Sequence, residues 1–335
     1  MIEDAATTKD LRGIIVGAGL MGRWHAASLR ALGIGVAGIV DNDSTVAAVL
    51  AAQHGNPPCF SDLDRCLSEI DAAVMHICTP AASHLPIAKT ALAHDAHLII
   101  EKPLARDGAE AELIYELAER SNRMVCPVLQ FAYQTGVSHV HDNLHKLGII
   151  NRVEINIASA GGPGQGEQAQ EVLLEIAPHG FFLIQRLFPG SDLAFEGWHL
   201  RSTRETECKI SGLHADAAFD FSISLTSRPT RCEMTVYGSA GTAFCNLFHG
   251  YSLIETGATG RAQKILQPIK RASSELAISA FNLTRRALQK EPAYPGLRAL
   301  IASFYRALAQ GRPGPISKDQ SLAVVRAGDW MRTAL

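Results

Sequence analysis

Two stretches of this 335-residue chain hold residues whose types and spacing could do chemistry. In "HLIIEKPLA", His97 to Ala105, an apolar run ends in Glu101, Lys102 and Pro103. A buried lysine is costly to desolvate, and proline cannot continue strand pairing. The charged pair therefore stands at a strand end, in a surface turn or in a site. In "GIIVGAGLMGRWHAASLRAL", Gly17, Gly19 and Gly22 have G-x-G-x-x-G spacing, after an apolar run and at the start of a helical pattern. Gly17 permits a tight turn, Gly19 lets a pyrophosphate approach the backbone, and Gly22 allows close helix–strand packing. Phosphates then sit at a helix N-terminus, where unpaired N–H groups and the dipole favour anions.

Asp41 closes the second apolar run, where a carboxylate accepts hydrogen bonds from an adenosine ribose. Its charge repels a 2′-phosphate, and the following "NDST" brings no Arg or Lys, so NAD is favoured, with NADP the alternative. The plain alternative for Asp41 is a cap on the next helix, work that Asp43 or Ser44 could equally do.

These residues need a parallel sheet to position them. "GIIVGAG", "VAGIVD", "AAVMHIC", "HLII" and "MVCPVL" are continuous apolar runs, as expected of strands covered on both faces. Helical patterns over 21–32, 44–53, 84–93 and 108–121 separate them, which predicts crossovers and an open α/β sheet. Ser83 is expected to cap the third helix, and Asp107 with Glu110 has capping-box spacing. Beyond 130 the period changes. "NRVEINIA", "AAFDFSISL" and "CEMTVYG" alternate apolar and polar residues, the mark of a largely antiparallel sheet buried on one face. Helices return near 295–309 and 318–333, the latter opened by a Ser317/Gln320 capping box. "SAGGPGQGEQAQ", 159–170, reads as a Gly-rich loop able to close over a substrate.

Composition narrows the class. The formal net charge is −2 and no Lys/Arg block occurs, so neither nucleic acid nor a membrane is an expected partner. No apolar run is long enough for a membrane helix, and "MIEDAATTKD" does not read as a signal peptide. Seven scattered cysteines with no C-x-x-C suggest reduced, buried thiols in a cytoplasmic protein, without a disulfide framework or metal site. His141 and His145, four apart, read as a solvated helix face before they read as a metal pair.

With its glycine turn, Asp41, and "CTPAASHLPIAKTALAHDAHLIIEKPLA", which holds T-P-x-x-x-H and then E-K-P, the N-terminal part resembles the Gfo/Idh/MocA oxidoreductases. The resemblance implies a doubly wound Rossmann domain over 1–130 that binds NAD(P). It implies a second α+β domain over 131–335, with a large, mostly antiparallel open sheet, for substrate binding and oligomerisation. Cofactor contacts would come from Gly17, Gly19, Leu20, Met21, Gly22, Asp41, Thr79, Pro80, His84, Glu101 and Lys102. Lys102 would lie beside the nicotinamide, where its ammonium can hold the reacting hydroxyl.

The family's D-x-G-x-H motif is matched by "EIAPHGFFLIQRLFPG", with Glu175 for the aspartate, Ala177 for the glycine, and Pro178-His179 last. Pro178 would sit in a first helical turn. His179 becomes the general acid/base, a role histidine suits at neutral pH, and Glu175 a substrate contact. In "LQFAYQTGV" the family's arginine is absent, leaving Gln130 and Tyr133 as candidate substrate contacts.

The expectation is an NAD(P)-dependent dehydrogenase or reductase. It would move a hydride between nicotinamide and a hydroxyl or keto carbon of a sugar, sugar derivative or cyclitol. The chain would act as a homodimer or homotetramer. Redox-neutral elimination or epimerisation on retained NAD is one rival, and a non-catalytic NAD(P)/sugar sensor another.

Overall fold

A computed structural model describes residues 11–159, 167–257, 261–291 and 293–335. The N-terminal decapeptide and most of the Gly-rich loop, 160–166, lie outside the described residues. The chain forms two compact units. The first runs to Leu129 and takes in Leu297–Arg326, a return of chain that a single boundary near 130 does not provide for. The second comprises Gln130–Gly296 and Ala327–Leu335.

In the first unit, β1 (Gly13–Val16), β2 (Val36–Val40), β3 (Cys59–Phe60), β4 (Val74–Ile77), β5 (His97–Ile100) and β6 (Val125–Pro127) form one parallel sheet in the order β3-β2-β1-β4-β5-β6. β1, β4 and β6 are buried along their whole length, as their continuous apolar sequences require. Five crossover helices link the strands: α1 (Leu20–Leu32), α2 (Ser44–Ala52), α3 (Leu63–Glu69), α4 (His84–Ala93) and α5 (Gly108–Arg120). Chain order reverses between β1 and β4, which opens a crevice at their carboxyl ends.

The caps show how local sequence sets these helices. Asp43, not Asp41, caps α2, its Oδ1 accepting from the Thr45 and Val46 amides. Asp107 caps α5 by accepting from the Glu110 amide, while Glu110 accepts in return from the amide of Arg106. Ser83 precedes α4 but makes no side-chain cap. Its hydroxyl lies 2.7 Å from Pro80 O and 2.8 Å from Thr79 Oγ1, because a short 3-10 turn, Ala81–Ser83, carries the chain into the helix.

In the second unit, α6 (Thr135–Asp142) precedes β7 (Ile150–Ala158), and α7 (Glu167–Leu187) follows it. Then come β8 (His199–Arg204), β9 (Glu207–His214), β10 (Ala217–Ser224), β11 (Arg231–Gly238), β12 (Gly241–Asn246) and β13 (Tyr251–Thr256). With β7 they form a seven-stranded sheet, β13-β12-β11-β7-β10-β9-β8, antiparallel except for the β7/β10 pair. One face is apolar: Phe219, Phe221 and Ile223 of β10 are buried, and α7 packs there. On the other face Asp220 lies 3.0 Å from the Arg152 guanidinium and 3.1 Å from Lys209 Nζ.

Three helices close the chain: α8 (Arg261–Leu288), α9 (Leu297–Ala309) and α10 (Lys318–Ala334). α9 packs on α1 in the first unit. α10 opens with the full reciprocal box, the Gln320 amide donating to Ser317 Oγ and the Ser317 amide to Gln320 Oε1.

Candidate active site

The first unit gathers the proposed cofactor residues at the carboxyl edge of its sheet. Gly17 follows β1 with φ +91°, and a Cβ there would lie 2.7 Å from Cys78 O, so only glycine fits without strain. At Gly22 a Cβ would collide with the Gly17 carbonyl, which is the close packing that the third glycine permits. Gly19 differs: a Cβ would meet nothing within 4 Å. Its smallness therefore serves no packing inside the protein and leaves open space over the start of α1. That helix has no side-chain cap and no acidic residue in its first turn, so its N-terminal amides are available to an anion. These features fit a bound pyrophosphate.

Asp41 follows β2. Its Oδ2 accepts from the Ala18 amide at 2.7 Å and its Oδ1 from the Asp43 amide at 2.9 Å. The carboxylate is thus tied to the glycine turn, and each oxygen keeps a lone pair for a ribose hydroxyl. Leu20 is exposed on the first turn of α1 and Met21 beside it is half-buried.

Thr79 and Pro80 follow β4, and Glu101 and Lys102 follow β5. His84, fully buried at the start of α4, clamps these two loops together. Its Nε2 lies 2.7 Å from Thr79 O, and its Nδ1 lies 3.1 Å from Pro103 O and 3.2 Å from Leu104 O. Both ring nitrogens are committed to backbone, so His84 shapes the loops. The Lys102–Pro103 peptide is cis. Lys102 is half-buried, and its amide donates to Glu101 Oε2 at 3.2 Å.

Behind this turn lies a buried polar chain that sequence reasoning missed. Glu101 Oε1 is 3.1 Å from His25 Nε2, His25 Nδ1 is 2.8 Å from His76 Nδ1, and His76 Nε2 is 2.9 Å from the Tyr305 hydroxyl. Burial, and next the neighbouring His25, hold His76 well below the usual histidine range, so it is neutral. A neutral imidazole donates through one nitrogen only. His76 therefore accepts from one of His25 and the Tyr305 hydroxyl and donates to the other. Gly13 makes room for this chain, because a Cβ there would lie 2.8 Å from the Tyr305 hydroxyl. Cys78, at the end of β4, has its thiol pushed well up by burial and then by Glu101, and stays protonated.

The remaining candidates belong to the second unit. Pro178 and His179 lie in the middle of α7 and not in a first turn, which corrects the sequence expectation. Helix-forming residues upstream of Glu175 extend the helix back to Glu167 through the proline, whose missing N–H removes one bond to the Leu174 carbonyl. His179 is buried and its ring stacks on Phe131, centroids 4.1 Å apart and planes 9° from parallel. Phe131 comes from the 3-10 turn Gln130–Tyr133, next to α7 in the unit. Glu175 is exposed one helical turn before His179, so the two share a face. Gln130 is buried and Tyr133 half-buried, whereas Gln134 is structural, its Nε2 donating to Leu247 O at 2.8 Å. His141 ends α6 and His145 lies in a separate 3-10 turn, so they do not share a helical face. Among the described residues no group of three or more His, Cys, Asp or Glu is placed to hold a metal ion.

Residues 11–128 match the family model GFO_IDH_MocA, an oxidoreductase family with an NAD-binding Rossmann fold. UDP-N-acetylglucosamine 3-dehydrogenase of Acidithiobacillus ferrooxidans is 31% identical over 130 residues, covering 36% of this chain and 40% of that protein. Inositol 2-dehydrogenase of Leifsonia xyli subsp. xyli is 36% identical over 119 residues, 35% of either chain. The matches thus span well under two thirds of these relatives. A solved structure of the Acidithiobacillus ferrooxidans enzyme has a TM-score of 0.74 over 97% of both chains at 17% identity, which shows a common fold through both units.

Proposed function

We propose, from the match of residues 11–128 to the Gfo/Idh/MocA family model, that the chain is an NAD(P)-dependent dehydrogenase or reductase. Its substrate would be a sugar, a sugar derivative or a cyclitol. The observation that carries this reading is the grouping of the Gly17–Gly22 turn, Asp41 and Lys102 along one carboxyl edge, around the point where strand order reverses. NAD is the preferred cofactor, because Asp41 faces the glycine turn with no cation following it in "NDST".

When bound, the nicotinamide supplies the hydride acceptor or donor. The α1 N-terminus and the turn hold the phosphates, and Asp41 takes the ribose hydroxyls. Lys102 donates to the reacting oxygen and stabilises its developing charge. His179 accepts the hydroxyl proton, its ring plane set by Phe131. Glu175, Gln130 and Tyr133 supply polar contacts to a polyhydroxylated ring. The substrate class is supported by the names of the relatives, a nucleotide-sugar 3-dehydrogenase and an inositol 2-dehydrogenase. The chain's place would be the cytoplasm, and its working form a homodimer or homotetramer.

The test is a panel of sugars, nucleotide-sugars and cyclitols with NAD or NADP, read at the nicotinamide absorbance band. NAD-dependent turnover of one class is expected. Lys102→Ala should keep NAD binding and lose turnover by about a thousandfold, in the range for removing one oxyanion-type donor. Undiminished turnover in that variant would remove Lys102 from the site. Turnover that needs no added cofactor would move the reading to redox-neutral chemistry.

A further inference from the structure

α8 is built inside out. Its polar side meets the body of the second unit. Asn282 Nδ2 donates to His249 O at 2.8 Å, Arg285 donates to Thr135 Oγ1 at 3.0 Å, and Arg286 donates to His249 O at 3.3 Å. Asn282 and Arg286 are buried, yet Ile265, Leu266, Ile269, Leu276, Phe281, Leu283 and Leu288 are each at least 60% exposed. Ordinary surface helices do the opposite. Single exposed apolar residues are common, but Ile265, Ile269, Leu276 and Leu283 recur on one helical face, and such a row marks an interaction surface.

The row has a symmetry that identifies its occupant. Ala272 and Ala280 stand four residues either side of Leu276, Ile269 and Leu283 stand seven, and Ile265 and Ala287 stand eleven. Separations of four, seven and eleven return to one helical face. The pattern of sizes is nearly the same read from either end: large at the flanks, alanine inside, leucine at the centre.

We propose that α8 pairs antiparallel with α8 of a second copy of this chain, the two-fold axis passing at Leu276. Leu276 then meets its own counterpart, Ala272 meets Ala280, Ile269 meets Leu283, and Ile265 meets Ala287. The interface is isologous, so each contact off the axis occurs twice. The small layers let the helices approach on either side of the central leucine. Charge agrees with this register. Lys270 and Arg271, both exposed, fall level with Asn282 and Phe281 of the second copy, while Arg285 and Arg286 are turned to their own unit, so no cation of the described helix faces another.

A buried aliphatic side chain removes on the order of 100 Å² from water, so the paired rows bury on the order of 1,000 Å², where specific interfaces begin. Among the described residues the outer face of the sheet, with its Arg152–Asp220–Lys209 ion pairs, offers no comparable apolar row. An anionic lipid surface could take a basic amphipathic helix, but it reads no register and gives no reason for the symmetry about Leu276. This inference stands apart from the catalytic reading.

Cysteine cross-linking of the full chain tests it, in a Cys59→Ser background that removes an exposed thiol. Leu276→Cys should oxidise to a covalent two-chain species. Ala287→Cys alone should not, because its own counterpart lies about 33 Å along the axis. Ala287→Cys mixed with Ile265→Cys should cross-link. Leu276→Lys with Leu283→Lys, both at exposed positions, should halve the mass measured by light scattering and leave the circular dichroism unchanged. A wild-type monomer, no Leu276→Cys cross-link, or an unchanged mass in the double-lysine variant would overturn the pairing. So would a monomer that floats with phosphatidylglycerol vesicles, which assigns the face to lipid.

Discussion

His25 and Glu101, 76 positions apart in sequence, meet at 3.1 Å in the interior of the first unit, and Glu101 in turn accepts the amide of Lys102. The lysine assigned to the reacting hydroxyl is thereby anchored through the carboxylate beside it. Removing the imidazole strands a buried carboxylate. His25→Leu should destabilise the protein by about 3–5 kcal/mol in chemical denaturation, as for a broken buried pair. Glu101→Gln keeps an acceptor for His25 and should cost only about 1–2 kcal/mol. Equal stability of His25→Leu and wild type would show that this contact holds nothing.

The glycine turn separates folding from binding at two neighbouring positions. Gly17→Ala forces a Cβ onto the Cys78 carbonyl at φ +91° and should cost about 1–3 kcal/mol of stability. Gly19→Ala meets no protein atom, and its φ of −66° suits alanine, so stability should stay at the wild-type level. The same methyl occupies the space left for the pyrophosphate. NAD affinity should fall tenfold or more, about 1.4 kcal/mol, in a calorimetric titration. Unchanged affinity would mean that the phosphates lie elsewhere.

Much of this was legible in the sequence because the chemistry is local. The turn, the helix it opens and the strand ending in Lys102 each lie within one short stretch, and the capping residues of α5 and α10 announce themselves by spacing. The His25–His76–Tyr305 chain was not legible, since its members are 51 and 229 positions apart and each reads alone as an ordinary core or surface residue. α8 escaped for a different reason: its apolar face covers nothing in its own unit, so no burial pattern set it apart. Pro178 misled because proline favours a first turn, whereas the strong helix formers before it carried α7 through.

Acid should weaken the fold through its buried histidines before its carboxylates matter. Burial, with the Arg123 charge second, lowers His97 to about 4, and burial holds His76 well down as well. Unfolded, both take up a proton near pH 6.5. Below that pH the unfolded state binds protons that the native state does not, so stability falls as pH falls, by up to about 1.4 kcal/mol per pH unit for each proton. Their contribution is complete above pH 6.5, and that of His97 is lost by about pH 4. Urea midpoints should drop between pH 6.5 and 5. His97→Gln, which keeps an acceptor for the Met124 amide, should flatten that drop. A midpoint constant over this range would contradict burial of the neutral rings.

Gly180 ties the position of His179 to the core of the second unit. A Cβ at Gly180 would collide with the Phe221 ring, so α7 lies against β10 at a distance only glycine allows. Gly180→Ala gains helix propensity, about 1 kcal/mol, but overpacking costs about 1–3 kcal/mol. The net effect should be destabilising, and the strain should shift α7 so that His179 no longer stacks on Phe131 as now. Phe221→Leu alone leaves a smaller side chain facing the glycine and should cost stability too. Together the two changes fit each other, so the double variant should be more stable than the sum of the single losses, by about 0.5–3 kcal/mol of coupling. Turnover should follow the same order, lowest in Gly180→Ala and partly restored in the pair. Strict additivity in both stability and turnover would show that this contact does not position His179.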